Sequence, residues 1–255
     1  MHRFNYLVPT LLFLVFIGCL LYNLFAFPFS REARLMVYFV QQIDLNTGNN
    51  NVTVNGLDKY VRTIIEELPS SSGQALNCGS QVSDNFREGL TTCVWHGLAP
   101  NVLANSDTSD VANSSSDIHD YDSWLYYNIT MNDTHAAFSF QGRNTKSCRL
   151  VFDNPVATVD IEDAASDPRY ISVADGGSSE VRLFSRNWDE VFKVNVTWSD
   201  QETHGQTGKV MCLWSDANQL GVIPAFDELR RFQPVWSAAT KGGDGLVEGW
   251  KAFEL

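Results

Sequence analysis

Basic residues are scarce in this chain: 18 Lys and Arg stand against 30 Asp and Glu, a formal net charge of −12. That balance excludes binding of nucleic acid by phosphate neutralisation, and charge-driven docking on an anionic cytosolic leaflet. Cysteine is sparse, five in 255 residues. No two are spaced CxxC, so zinc-ribbon and thioredoxin-type readings lack support. HExxH and GxSxG are both absent, and neither Gly176-Gly177 nor Gly242-Gly243 sits in phosphate-loop context. The histidines (His2, His96, His119, His135, His204) are dispersed, and the Asp-rich stretch around 107–122 lacks EF-hand spacing. The sequence therefore nominates no catalytic and no metal-ligating residue.

Charge vanishes altogether from 6 to 30, where YLVPTLLFLVFIGCLLYNLFAFPFS is mostly apolar. As a helix, residues 7–29 would span roughly 34 Å, enough to cross a bilayer core of about 30 Å. A cleaved signal peptide would have a shorter apolar stretch and a small-x-small cleavage site, and a buried core helix would be shorter and one-sided. A transmembrane helix fits best, with the lipid bilayer as its partner through residues 7–29. The flanking charges, Arg3 before and Arg31 and Arg34 after, mildly favour a cytosolic C-terminal part.

Two features oppose that orientation. Asn-x-Ser/Thr sequons occur at Asn51, Asn113, Asn128, Asn132 and Asn195, all after the helix. Four cysteines also follow it, Cys78, Cys93, Cys148 and Cys212, and an even number in a non-cytosolic domain reads as two disulfides. Three connectivities are open, as is a set of four buried thiols. Cys78 with Cys93 closes a short loop, and Cys148 with Cys212 joins two strands, which favours that pairing. The expected layout is a tail and membrane helix over 1–30 and a luminal domain over 31–255, with 101–122 as an exposed polar loop.

Within 31–255 most segments read as strands. Residues 35–45 are β-branched and aromatic at their start and alternate toward their end, and 52–54 resume the strand after a turn at 46–50, Asn-Thr-Gly-Asn-Asn. Alternation marks 124–130, 136–141, 181–186 and, most sharply, 191–198, where Phe192, Val194, Val196 and Trp198 point one way and Asn195 the other. Residues 148–152, 156–161 and 210–214 complete the set. Residues 57–68 carry helical apolar spacing with Asn55 as cap and Pro69 as stop, and 223–232 form a short helix with Pro224 near its start. Residues 70–97 read as loop-rich, and 242–255 as a glycine-rich tail docking back. The fold class is mainly β: an antiparallel, jelly-roll-like β-sandwich with one or two packed helices, preceded by one transmembrane helix. Trp198 and Trp214 read as core by alternation; core packing is also the default for Trp95, Trp188 and Trp250, although these lie in less regular segments where an exposed ring would stack on sugars.

The segments GRNTKSCRL at 142–150, VRLFSRNW at 181–188, GKVMCLWSDAN at 208–218, IPAFDEL at 223–229 and DGLVEG at 244–249 resemble the C-terminal luminal region of fungal vacuolar membrane proteases. The resemblance runs from the hydrophobic helix onward. It implies zinc-dependent peptidases of the aminopeptidase class, with a peptidase domain, several membrane helices and a final β-rich luminal domain. This chain corresponds to the last helix and that domain, so zinc belongs to a part of the family with no counterpart here, and no position inherits a ligand. The resemblance implies a non-catalytic accessory domain, single-pass as the chain stands, in the vacuolar membrane with its C-terminal part luminal. Other transmembrane helices of a membrane peptidase would be its partners. A membrane-anchored glycan- or protein-binding ectodomain is the alternative.

Overall fold

The structure, a computed structural model, describes residues 6–79, 89–103, 120–132, 134–162, 177–198 and 206–255. Most of the polar segment 101–122, including the Asn113 sequon, lies outside them.

The apolar run forms helix α1, Leu7–Phe25, with no buried residue. Its backbone is satisfied within the helix, as a lipid environment requires, and its 19 residues give a length of about 28 Å. The remainder folds around two sheets. The larger is built from β1 (Leu35–Asp44), β2 (Asn50–Gly56), β3 (Asn77–Gly79), β4 (Thr91–His96), β7 (Ser147–Val156), β9 (Ser178–Phe184), β11 (Thr207–Trp214), β12 (Ser237–Lys241) and β13 (Val247–Glu254). Its order is β3-β4-β2-β1-β13-β11-β7-β9, and β12 lies end to end with β13 along the same edge of β1. The smaller sheet is β5 (Leu125–Asn132), β6 (His135–Gly142), β10 (Val191–Thr197) and β8 (Thr158–Ile161), in the order β5-β6-β10-β8. All pairings are antiparallel except those of β1 with β12 and β13, which are parallel.

The strand registers put one set of side chains on a single face of the large sheet. Val37, Phe39 and Ile43 of β1 share it with Val52 and Val54 of β2, Cys93 and Trp95 of β4, and Val247 and Phe253 of β13. Val210, Cys212 and Trp214 of β11, Cys148, Leu150 and Phe152 of β7, and Val181 and Leu183 of β9 continue it. All are buried. Two covers share that face. Helices α2 (Asp58–Glu66) and α3 (Pro224–Phe232) lie over the β4-β2-β1 half, with Phe39 and Phe226 at 5.1 Å between ring centroids. The small sheet lies over the other half, where Phe138 of β6 packs edge-on against Phe152 and Phe253. Gly142 makes this approach possible: a Cβ there would sit 2.8 Å from the Cys212 sulfur. Each large side chain so buried contributes about 1.5–3 kcal/mol of transfer free energy.

Three local expectations change. Asn55 is not the cap of α2; it is fully buried on β2, accepts from the Thr92 hydroxyl, and the α2 N-cap is Leu57. Within 70–97, β3 and β4 extend the sheet past β2. Residues 242–255 are no docked tail, because β13 is an interior strand between β1 and β11.

Candidate functional site: a cleft at the strand ends

Because β7 and β13 each pair antiparallel with β11, and β13 pairs parallel with β1, the starts of β1, β7 and β13 point the same way. The ends of β2, β9 and β11 therefore lie at that same end of the sheet. It is the end at which α1 meets the domain. Phe27 and Phe29, just past α1, pack against Tyr60 of α2 and against Trp236, with centroids 5.0–6.3 Å apart. Leu35 N–H donates to the Trp236 carbonyl at 2.9 Å, which ties this aromatic cluster to the first residue of β1.

A cavity of about 650 Å³ opens at the β7-β9-β11-β13 portion of that end. Leu183, Leu213 and Trp214 line it from β9 and β11, and Val102 and Val222 from loops. Phe184 and Trp188 stand at its rim, 73% and 56% exposed. The Lys146 ammonium sits 4.6 Å from the centre of the Trp188 ring, where the ring quadrupole attracts a cation. Asn144 (φ 53), which lines the cavity, and Asp189 (φ 57), next to Trp188 in sequence, are non-glycine residues in the left-handed region. They lock each other: Asn144 N–H donates to the Asp189 carboxylate, and Asp189 N–H donates to the Thr145 carbonyl at 3.1 Å. Asn and Asp are the residues that adopt this conformation most readily.

On the face of the large sheet opposite the covered core runs an ionic chain that reaches the cleft. Arg149 on β7 contacts Glu248 at 2.9 Å and Glu180 at 3.3 Å; Arg182 contacts Glu180 at 3.1 Å and Asp244 at 3.4 Å. Arg149 and Glu248 are almost fully buried, and Gln42 donates to the same Glu248 oxygen that faces Arg149. Burial pushes the Glu248 carboxyl above the usual carboxylate range, although Arg149 and the Gln42 hydrogen bond pull it down. Arg182 and Asp244 also line the cavity, so this chain fixes two polar groups of its wall.

Among the described residues, no histidine or cysteine lines the cavity. Its two serine hydroxyls are already committed as donors to carbonyls, Ser147 to Leu183 and Ser215 to Asp244, so neither is held against a base as a nucleophile would be. Among the described residues no three His, Cys, Asp or Glu side chains converge. These residues do not fit a zinc ion, which needs three or four such donors.

The disulfides join Cys78 to Cys93 and Cys148 to Cys212. Both bridge directly paired residues of neighbouring strands, β3–β4 and β7–β11. Cys19 is a free thiol on α1. Asn128, Asn132 and Asn195 are exposed on the outer face of the small sheet, opposite the Phe138 face. Asn51 is half-buried on β2. Of the tryptophans read as candidate sugar platforms, Trp188 alone stands well out. Trp95 is buried with its indole donating to the Ser70 hydroxyl, and Trp250 is half-buried beneath the Lys209 ammonium. The Arg149–Glu248 pair was invisible in the sequence, because 99 residues separate its members and only the register of three strands brings them together.

Comparison with known proteins gives one consistent result. A family profile for the vacuolar membrane protease, C-terminal domain, matches residues 35–248. A vacuolar membrane protease of Phaeosphaeria nodorum is 46% identical over 259 residues, covering 100% of this chain and 26% of that protein. Those of Pyrenophora teres f. teres and Aspergillus clavatus are 45% and 42% identical, again over 100% of this chain and over 26% and 25% of their own lengths. The chain thus spans about a quarter of the length of these relatives.

Proposed function

The chain belongs to the vacuolar membrane protease family, and from that premise we propose that it serves as the membrane-anchored, lumen-facing, non-catalytic C-terminal domain of such a protease. The observation that carries the reading is the continuity between α1 and the β domain: the Phe27, Phe29, Tyr60 and Trp236 cluster fixes the domain at the helix exit. Such a domain positions and shields the membrane part. Two disulfides, and three sequons spread over the outer face of the small sheet, suit it to a degradative, acidic lumen. Other transmembrane helices of the peptidase are its proposed partners in the vacuolar membrane.

The test is expression of the full chain in a filamentous fungus, followed by endoglycosidase digestion and protease protection of sealed vacuoles. An endoglycosidase-sensitive domain, protected until the membrane is opened, is the expected result. An unglycosylated domain that protease digests in intact vacuoles would refute the luminal reading, and zinc-dependent cleavage of peptides by the purified chain would refute the non-catalytic one.

A second reading, a glycan- or protein-binding ectodomain, draws on the cleft with Trp188 and Phe184 at its rim. Binding to an oligosaccharide or peptide array that disappears in Trp188→Ala supports it; identical profiles for both proteins would remove it.

A further inference from the structure

We propose that the end of the domain at which α1 enters is seated on the interface of the leaflet from which that helix emerges, with Phe27, Met36, Leu57, Phe232 and Val235 in contact with lipid. This rests on the reading of α1 as a membrane span.

The tether sets the depth of the domain. Phe27 lies two residues beyond Phe25, the last residue of α1. A span ending at Phe25 leaves Phe27 no room to rise from the interfacial zone. Phe27 is in turn in ring contact with Tyr60 at 5.8 Å and with Trp236 at 5.2 Å. Both of those belong to the folded domain, one on α2 and one just before β12. Whatever neighbours them shares their depth.

Their neighbours are apolar and exposed. Leu57 accepts at its carbonyl from Tyr60 N–H, and is 42% exposed. Val235, adjacent to Trp236, is 73% exposed, and Phe232, at the end of α3 just before it, 40%. Met36 follows Leu35, whose N–H donates to the Trp236 carbonyl, and is 45% exposed; Phe27 itself is 52% exposed. Four separate segments thus bring large apolar side chains to one end of the fold, around a cluster of Tyr, Trp and Phe. That composition belongs to the bilayer interface, where amphipathic rings sit at headgroup level and aliphatic side chains enter the acyl boundary. Exposed Arg31, Arg34, Lys59, Arg230 and Arg231 lie in the same segments, placed to reach headgroup phosphates with their apolar stems along the interface. Aromatic and aliphatic contact carries the docking, so zwitterionic lipid suffices.

The experiment uses the full chain in phosphatidylcholine nanodiscs, with Cys19→Ser as background and the disulfides verified by non-reducing mobility. An environment-sensitive fluorophore is placed singly at Leu57→Cys, Val235→Cys, Leu14→Cys and Tyr126→Cys, the last on the outer face of the small sheet. Labels at 57 and 235 should show blue-shifted emission, quenching by headgroup-tethered spin label and loss of iodide quenching, whereas 126 should stay iodide-quenched. Phe232→Ser combined with Val235→Ser should restore iodide access at 57. If 57 and 235 behave like 126 while 14 is quenched by acyl-chain spin label, the docking proposal fails alone. If 14 escapes acyl-chain quenching as well, the membrane-span reading falls, and the proposal with it.

Discussion

One face of the large sheet is closed in two different ways. Over β4, β2 and β1 the cover is helical, next to the aromatic cluster that receives α1. Over β13, β11 and β7 it is a second sheet, with Phe138 wedged onto Phe152 and Phe253 and an outer face that carries three sequons. The contrast teaches a division of labour within one core. The helix-covered half meets α1 and carries exposed apolar side chains, Leu57 and Phe232 among them, beside its buried core. The sheet-covered half buries Phe138, Phe140 and Val194 on one side of its small sheet and sets Asn128, Asn132 and Asn195 on the other.

The strongest way to break the comparison is through the disulfides. Removing Cys148–Cys212, whose partners are 64 residues apart, with paired Ala substitutions should lower unfolding free energy by roughly 4 kcal/mol on the chain-entropy account. Removing Cys78–Cys93, with a separation of 15, should cost about 3 kcal/mol. Denaturant titration reads both, and an inverted order would show that the helix-covered half depends more on its staple. Close in size, Phe138→Ala removes the wedge between the sheets and should cost about 3–5 kcal/mol with a raised susceptibility to proteolysis. If trimming it changes stability by less than the trimming of an exposed residue such as Tyr126, the small sheet is not held by that contact.

How much of this was legible in the sequence follows from the same division. Strand β10 and helix α2 announced themselves, since each buries one face against a core and leaves the other wet, and periodicity records that. Strand β13 did not. It is packed on both sides within the large sheet, and it carries Gly249, where a Cβ would meet Trp214 at 3.0 Å and Leu45 at 3.1 Å. Close packing there selects a residue that sequence reading takes for a loop. Strand β4 was hidden by its six-residue length and its place after a turn-rich stretch. At the candidate site, Trp188 was legible as an exposed ring outside regular alternation, but Trp95 looked the same and is core. The cleft itself was not legible, because its walls come from strand ends and loops spread between Asn101 and Asp244.

Two smaller effects sharpen the picture. The raised Glu248 carboxyl binds its proton more readily in the folded than in the unfolded chain. Over the interval from the ordinary carboxylate value up to that raised value, the folded state holds more protons, so stability falls as pH rises through it. An acidic medium therefore spares the fold the cost of a buried charge. Glu248→Gln should flatten the slope of thermal midpoint against pH in that interval, and an unchanged slope would acquit Glu248. Smallest in stability, Asn128→Gln, Asn132→Gln and Asn195→Gln together should remove more endoglycosidase-sensitive mass than Asn51→Gln, whose asparagine is half-buried, while leaving the thermal midpoint at neutral pH nearly unchanged.

The interior position of β13 also dictates an order of events. Strands β1 to β4 can pair among themselves as a local unit, and β7, β9 and β11 as another. The two join only when residues 247–254 insert between β1 and β11. Until then β11 presents an open edge, β1 is covered on that side only along Leu35–Phe39 by β12, and the Phe253 ring that meets Phe138 and Phe152 is missing from the core. During synthesis the nascent domain therefore waits as two unfinished pieces, and the last strand works as the latch that completes it.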